Sequence, residues 1–212
     1  MKRSSPAAFT LIEMLTVMAI IAILTSLVIA TFGFAQNKAA RTRAQGEITE
    51  MASQCESYKA DFGGYPQAKK TDELDPKQDA NPVSTKSADR YRDANLKLYS
   101  ALAGDFEPED EPDGKPEKKA YIQFTPNRLN FKKDENGQIK EVKYIQDPFG
   151  NPYGYSTKGL AEEQEYRKAV KKDPKAPRIE KAGGYNPTFD LWSTAGQTTL
   201  IEARKWVKNW GN

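Results

Sequence analysis

A chain of 212 residues with 32 Lys and Arg against 29 Asp and Glu has a formal net charge of +3, and 29% of it is charged. It holds no histidine and one cysteine, Cys55. That composition excludes Ser-His-Asp triads, Cys-His pairs, His-ligated zinc and any disulfide within the chain. The charge is nearly balanced, and no clustered basic face with interleaved aromatics offers a footprint for nucleic acid. The length suits one membrane helix and one domain of ordinary size.

The chain opens with a short basic stretch, MKRSSPAA, and then runs apolar from Phe9 to Ala35, FTLIEMLTVMAIIAILTSLVIATFGFA, with the single charge Glu13. An apolar run of 18 or more residues can cross a bilayer as a helix. Lys2 and Arg3 ahead of it predict an N-terminus inside and the bulk of the chain outside. A carboxylate inside such a run is costly in lipid and marks a functional position. A Glu this near the helix start could also snorkel to the membrane surface. A cleaved secretory signal has a shorter apolar region, with a small-residue cleavage site soon after it. A plain single-pass anchor accounts for the length but leaves Glu13 unexplained. Gly33 is a mild weak point, costing about 1 kcal/mol against Ala in a helix interior.

The helical pattern continues past the apolar run to about Ala60. Ala40, Ala44, Ile48, Met51, Cys55, Tyr58 and Phe62 recur every three or four residues, as on one face of an amphipathic helix. Arg41, Arg43, Glu47, Glu50, Glu56 and Lys59 fall to the opposite face, and Gly63, Gly64 and Pro66 end the helix. From Phe9 to Ala60 such a helix spans roughly 78 Å. Cys55 on the apolar stripe reads as a small buried side chain. Residues 65–88 carry three prolines and Asp72, Asp75 and Asp79, the composition of a solvated loop, and no EF-hand pattern occurs there. Asp89 to Ala103 predicts a second helix with Tyr91, Ala94 or Asn95, Leu98 and Leu102 inward and Gly104 as its cap. Asp105 to Lys119, dense in charge and proline, is expected to be exposed and mobile.

From Ala120 the pattern turns to strands. Ala120–Phe124, Leu129–Phe131 and Ile139–Ile145 alternate, and Asp134-Glu135-Asn136-Gly137 is a hairpin turn. Asp147-Pro148-Phe149-Gly150-Asn151-Pro152-Tyr153 is a turn cluster leading into Tyr153–Tyr155. Ala161–Lys172 is a charged insertion, either a short helix or an extended hairpin tip. Tyr185–Ser193 is expected to close the sheet. Ile201–Trp210 forms a short helix or a final strand, with Trp206 and Trp210 packing on the domain.

Ala8-Phe9-Thr10-Leu11-Ile12-Glu13 resembles the processing site of type IV pilins and type II secretion pseudopilins. In that family a basic leader is cut before a Phe, the new amine is N-methylated, and the fifth mature residue is Glu. The resemblance implies cleavage between Ala8 and Phe9, methylation of Phe9, and an assembly role for Glu13, fifth from Phe9. Glu13 would pair with the Phe9 amine of a neighbouring subunit and set the register of a fibre. Ala8 stands where the family usually has Gly. Two later strings, Asp147–Tyr155 and Phe189-Asp190-Leu191-Trp192-Ser193, resemble the major type II pseudopilins, with Phe149 where an aromatic Trp is common. The lone cysteine points the same way, since many major type IV pilins close a C-terminal loop with a disulfide. In the major pseudopilins the loop after that Ser binds calcium through an Asp. Here it reads Thr194-Ala195-Gly196-Gln197, leaving only Asp190 and Glu202 as weak calcium candidates, whereas calcium takes six to eight oxygen ligands. No metal or other cofactor is therefore expected.

The expected fold is α+β and pilin-like, a long N-terminal helix packed by its second half on a small antiparallel sheet. The expected divisions are a leader over 1–8, a transmembrane and fibre-core helix over 9–35, its amphipathic continuation over 36–62, and an extracytoplasmic domain over 63–212. The resemblance implies a non-enzymatic pseudopilus subunit of the bacterial inner membrane with its domain in the periplasm. Its implied partners are copies of itself, minor pseudopilins, the prepilin peptidase, the inner-membrane assembly platform and, before assembly, lipid. A type IV pilin for adhesion, motility or DNA uptake, and a membrane-anchored binding module, are the alternatives.

Overall fold

A computed structural model describes residues 10–106, 112–178 and 183–211, apart from the side chains of residues 30 and 31. The processing residues Ala8 and Phe9 lie outside the described residues. The chain divides into two units, residues 1–40 and 41–212. Helix α1, Leu11–Phe62, runs for 52 residues and contributes to both. Gly63 ends it with φ +77°, donating its amide to the Lys59 carbonyl at 2.8 Å. That left-handed stop suits a residue without Cβ.

The second unit is α+β. Three further helices follow, α2 (Lys69–Glu73), α3 (Ala88–Ala103) and α4 (Lys158–Lys172). Strands β1 (Leu129–Lys133) and β2 (Ile139–Ile145) form one antiparallel hairpin. Strands β3 (Gly154–Ser156), β4 (Asp190–Ser193) and β5 (Val207–Lys208) form a second antiparallel sheet with β4 central. The single sheet expected from the sequence is thus two. Within the hairpin the register slips between Asn130 and Phe131 and again between Lys132 and Lys133. Such bulges bend and twist the strand that carries them. Gly137, at φ +80°, makes the predicted turn.

The core is built on the buried stripe of α1, Ala44, Ile48, Met51 and Cys55, against Leu98 and Leu102 of α3, Val142 and Ile145 of β2, Tyr155 of β3 and Leu191 of β4. The stripe fades at its C-terminal end. Tyr58 is half-buried, and Phe62 is exposed and stacks on Tyr58 at 4.4 Å. A second cluster gathers Leu74, Tyr91, Ala94, Trp192 and Trp206, with Trp210 packed against it. The Trp192 indole donates to the Tyr91 hydroxyl at 2.9 Å, and that hydroxyl donates to the Asp79 carbonyl at 2.7 Å. Both C-terminal tryptophans therefore pack on the domain. They are carried by a 3-10 turn (Leu200–Lys205) followed by β5, so both predicted forms of this segment occur in sequence.

Asn95 joins the two sheets. Its Nδ2 donates to the carbonyls of Ile145 and Tyr153, and its Oδ1 accepts from the Ile145 amide at 2.6 Å. A buried amide must be satisfied, and here the backbone of two strand ends does it. Both Ala94 and Asn95 are buried, so the inward face of α3 includes both residues left open in the sequence.

One expected strand is absent and another is shortened. Ala120–Phe124 forms none, because the amides of Tyr121 and Ile122 donate to the Leu102 carbonyl at 2.7 and 2.9 Å and cap the end of α3. Of the expected strand over 185–193, only β4 forms, and residues 185–189 do not join it. The amides of Tyr185 and Asn186 are held by the Asp190 carboxylate, and Pro187 has no amide to offer a ladder. The region 65–88 is more than a solvated loop. It forms α2, buries Thr71, Leu74, Asp75 and Asp79, and is tied to the residue after β3 by the Thr157 amide on the Thr71 carbonyl at 3.0 Å. Within 105–119, Lys115–Lys119 is exposed as expected, but Asp105 and Pro112 are buried. The charged stretch at 161–172 belongs to helix α4.

Candidate processing and assembly site

The described chain begins at Thr10, and the start of α1 is built by its own side chains. The Glu13 amide donates to Thr10 Oγ1 at 3.3 Å, while Glu13 Oε2 accepts from the Thr10 amide at 2.7 Å and from Thr10 Oγ1 at 2.9 Å. This is a capping box, in which Thr at the cap and Glu three residues on satisfy each other's amides. The T-x-x-E spacing of Thr10 and Glu13 was legible in the sequence, though only the Glu drew attention there. Near a helix N-terminus a carboxylate is also favoured by the helix dipole. The local structure therefore holds Glu13 in a defined position at the head of the apolar run.

Beyond Glu13 the described side chains of the run are exposed on every side. Leu15, Met18, Ile21, Leu24 and Val28 are all more than half exposed, at 57%, 70%, 56%, 57% and 64%. A helix apolar all round needs an apolar environment, either lipid or other helices. Among the described residues α1 is the one helix long and apolar enough to cross a membrane, with a mean hydropathy of 2.5 over its best 18 residues. Thr16 and Ser26 satisfy their hydroxyls on the helix's own carbonyls, Glu13 and Ile23, at 2.9 and 2.7 Å. Such internal pairing suits a segment without water.

One residue placed on the polar face of α1 by its charge is buried. Glu47 is only 8% exposed. Its Oε1 accepts from Arg43 Nε at 2.7 Å, its Oε2 from the Tyr153 hydroxyl at 2.7 Å, and Arg128 Nε lies 3.8 Å away. Arg128 also bonds Glu50 at 2.8 Å. Glu47 sits three residues after Ala44 and four before Met51, so it borders the buried stripe. Sequence reasoning missed Arg128 and Tyr153 as its partners, because neither is local to it. Burial and the Glu47 charge push the Tyr153 hydroxyl well above its ordinary value, so it remains a donor. Cys55 is fully buried, and desolvation raises its thiol far above the usual range. It is inert packing, as expected.

The two strings that resemble the major pseudopilins meet in space. Asp147 caps its own turn by accepting the Phe149 and Asn151 amides at 2.9 and 2.8 Å, and its other oxygen accepts from Ser193 Oγ at 2.5 Å. Gly154 of β3 pairs with Trp192 of β4. A Cβ at Gly154 would come within 2.1 Å of the indole, so only glycine lets Trp192 lie flat against that strand.

Asp190 and Glu202 do different work. Asp190 accepts the Tyr185 and Asn186 amides at 2.7 and 3.0 Å. Burial raises its carboxyl to about 6. Glu202 is tied to Thr199 Oγ1 at 3.0 Å and Lys205 Nζ at 3.2 Å within its own turn. Among the described residues no three acidic, Cys or His side chains gather as metal ligands.

In comparisons with known proteins, residues 3–29 match the prokaryotic N-terminal methylation motif, the type IV pilin-like signal. The match supports the pilin and pseudopilin superfamily, and with the apolar helix it fits a membrane-anchored single-pass protein. No curated protein and no solved structure matches the chain.

Proposed function

We propose that this chain is the precursor of a pseudopilus subunit, most like the major pseudopilin of type II secretion. The methylation motif over residues 3–29, running into an exposed apolar helix, carries the reading. A prepilin peptidase cuts between Ala8 and Phe9 and methylates the Phe9 amine. Before assembly the helix rests in the inner membrane with Lys2 and Arg3 on the cytoplasmic side and the 41–212 unit in the periplasm. Assembly trades lipid for neighbouring helices.

Glu13 supplies the register. A carboxylate in an apolar bundle is costly unless paired. The Phe9 amine of a neighbouring copy is the partner of matching charge, and the Thr10 capping box holds Glu13 ready for it. The subunit performs no chemistry of its own. It works as a building block in a short fibre that pushes folded cargo outward, in company with minor pseudopilins and the inner-membrane platform. The resemblance of Asp147–Tyr155 and Phe189–Ser193 to the major pseudopilins is what supports this branch over an adhesive pilus.

The test is fibre formation by wild type and Glu13→Ala in cells carrying a prepilin peptidase and the secretion platform. The reading expects sedimentable fibres confined to the periplasm at normal expression, and none from Glu13→Ala. Long surface filaments would move the assignment to a type IV pilus. Equal assembly by the variant would remove the fibre role of Glu13.

A further inference from the structure

Ile201 is 87% exposed, more than any other large hydrophobic side chain described, including those of the apolar helix. Its neighbour Leu200 is 44% exposed, and Arg204 and Lys205 on the same 3-10 turn are exposed cations. Scattered single apolar residues on a surface need no explanation. In the 41–212 unit the other exposed large hydrophobics, Phe62, Val83 and Tyr185, stand apart from one another in sequence, whereas Leu200 and Ile201 are adjacent. The turn has a fixed anchor, since the Arg41 guanidinium donates to the Lys205 carbonyl. Arg41 follows Ala35, the last residue of the apolar run, by six positions. Six residues reach at most about 20 Å even when fully extended, and about 9 Å along a helix. Chain length alone therefore limits how far the turn can lie from the end of the apolar run.

From this we infer that the Leu200–Lys205 turn is a membrane-surface contact of the unassembled subunit. Leu200 and Ile201 enter the interfacial layer, while Arg204, Lys205 and Arg41 meet anionic lipid headgroups. Glu202 is the one acidic group on the turn, and it is held by Thr199 and Lys205. Apolar tips beside cations are the combination that binds an anionic bilayer surface. The inference rests on residues 9–35 being a membrane helix and not on fibre assembly. Its consequence is a head held down on the membrane before assembly and released when the helix leaves the lipid.

The experiment reconstitutes the full chain in vesicles of phosphatidylethanolamine and phosphatidylglycerol, at low protein-to-lipid ratio. Nitroxide labels are placed at Ile201→Cys, at Leu24→Cys within the apolar run, and at Lys133→Cys on exposed β1. Wild type, whose only thiol is the buried Cys55, controls for background labelling. Collision with oxygen, which concentrates in lipid, is compared with collision with a water-soluble nickel chelate. The expected result is a lipid-like label at 24, a water-like label at 133, and an interfacial label at 201. The signal at 201 should shift several-fold toward water in phosphatidylcholine vesicles or in an Arg204→Glu, Lys205→Glu background. A lipid-like label at 24 with a water-like label at 201 overturns the contact while leaving the anchor intact. Protection at 201 that appears only as protein-to-lipid ratio rises assigns the turn to a second copy and overturns the lipid contact. A water-like label at 24 removes the membrane-helix reading itself, and this inference with it.

Discussion

The two ends of helix α1 differ in what surrounds them. From Leu11 toward Phe34 the large side chains are exposed on all faces, while from Ala44 to Cys55 one stripe is sealed against α3 and the strands. The large described side chains of the first end are exposed, and it draws cohesion from whatever lies outside the chain. The second end belongs to a folded core. A single helix can therefore carry two separable functions, and mutations should sort by which end they touch.

The sharpest break in that comparison is Glu13→Ala. It should abolish fibre formation while leaving the melting temperature of the 41–212 unit unchanged, as followed by near-UV circular dichroism. The reverse pattern is expected from Glu47→Ala, which takes the acceptor from the Tyr153 hydroxyl beside the core and leaves Arg128 to Glu50 alone. Removing one partner of a buried ion pair costs about 3–5 kcal/mol. Chemical denaturation in detergent should register that loss. Ile48→Ala tests the same end through packing alone, at about 2–5 kcal/mol for a buried aliphatic. Leu24→Ala in the apolar run should leave the domain's unfolding curve where it was. Gly154→Ala forces a methyl group against the Trp192 indole, and such overpacking costs about 1–3 kcal/mol. A shift in the near-UV tryptophan signal would accompany it.

The smallest expected effect is in pH dependence. Burial lifts the Asp190 carboxyl from an ordinary value of 3.8 to about 6. The folded state therefore binds its proton more tightly than the unfolded chain does. Stability contributed by this group is full below the unfolded value and is lost as pH rises through about 6. Asp105 and Asp147, raised by burial in the same direction, add to that slope. Thermal melts between pH 4 and 7 should show the domain losing stability with rising pH. Asp190→Asn should flatten part of the dependence, and an unchanged slope in that variant would place its origin elsewhere.

Much of this architecture was legible in local pattern. The long helix and its stop at Gly63, the inward face of α3, the β1–β2 hairpin around Asn136-Gly137 and the packing of both C-terminal tryptophans all follow from spacing and turn chemistry. The misses share a cause. Ala120–Phe124 and residues 185–189 alternate like strands, but their amides are taken by distant acceptors, the Leu102 carbonyl and the Asp190 carboxylate. Glu47 looked solvated because Tyr153 and Arg128, the groups that make its burial tolerable, lie about a hundred residues away in sequence. Asp75 and Asp79 looked like loop surface although their partners are nearer in sequence. Asp75 is engaged by the Lys77 amide and Asp79 by the Arg90 guanidinium, so both are buried with partners. At the candidate site Glu13 was legible as a charge out of place, whereas its bond to Thr10 needed the three-residue spacing to be read as a cap.

The central claim is that the mature chain begins, after processing, at Phe9. The most direct measurement is the intact mass and N-terminal residue of the protein recovered from membranes, with and without a co-expressed prepilin peptidase. A chain starting at N-methyl-Phe9 only when the peptidase is present is the predicted result. A chain that keeps Met1 to Ala8 beside an active peptidase would contradict it, leaving α1 a permanent membrane anchor.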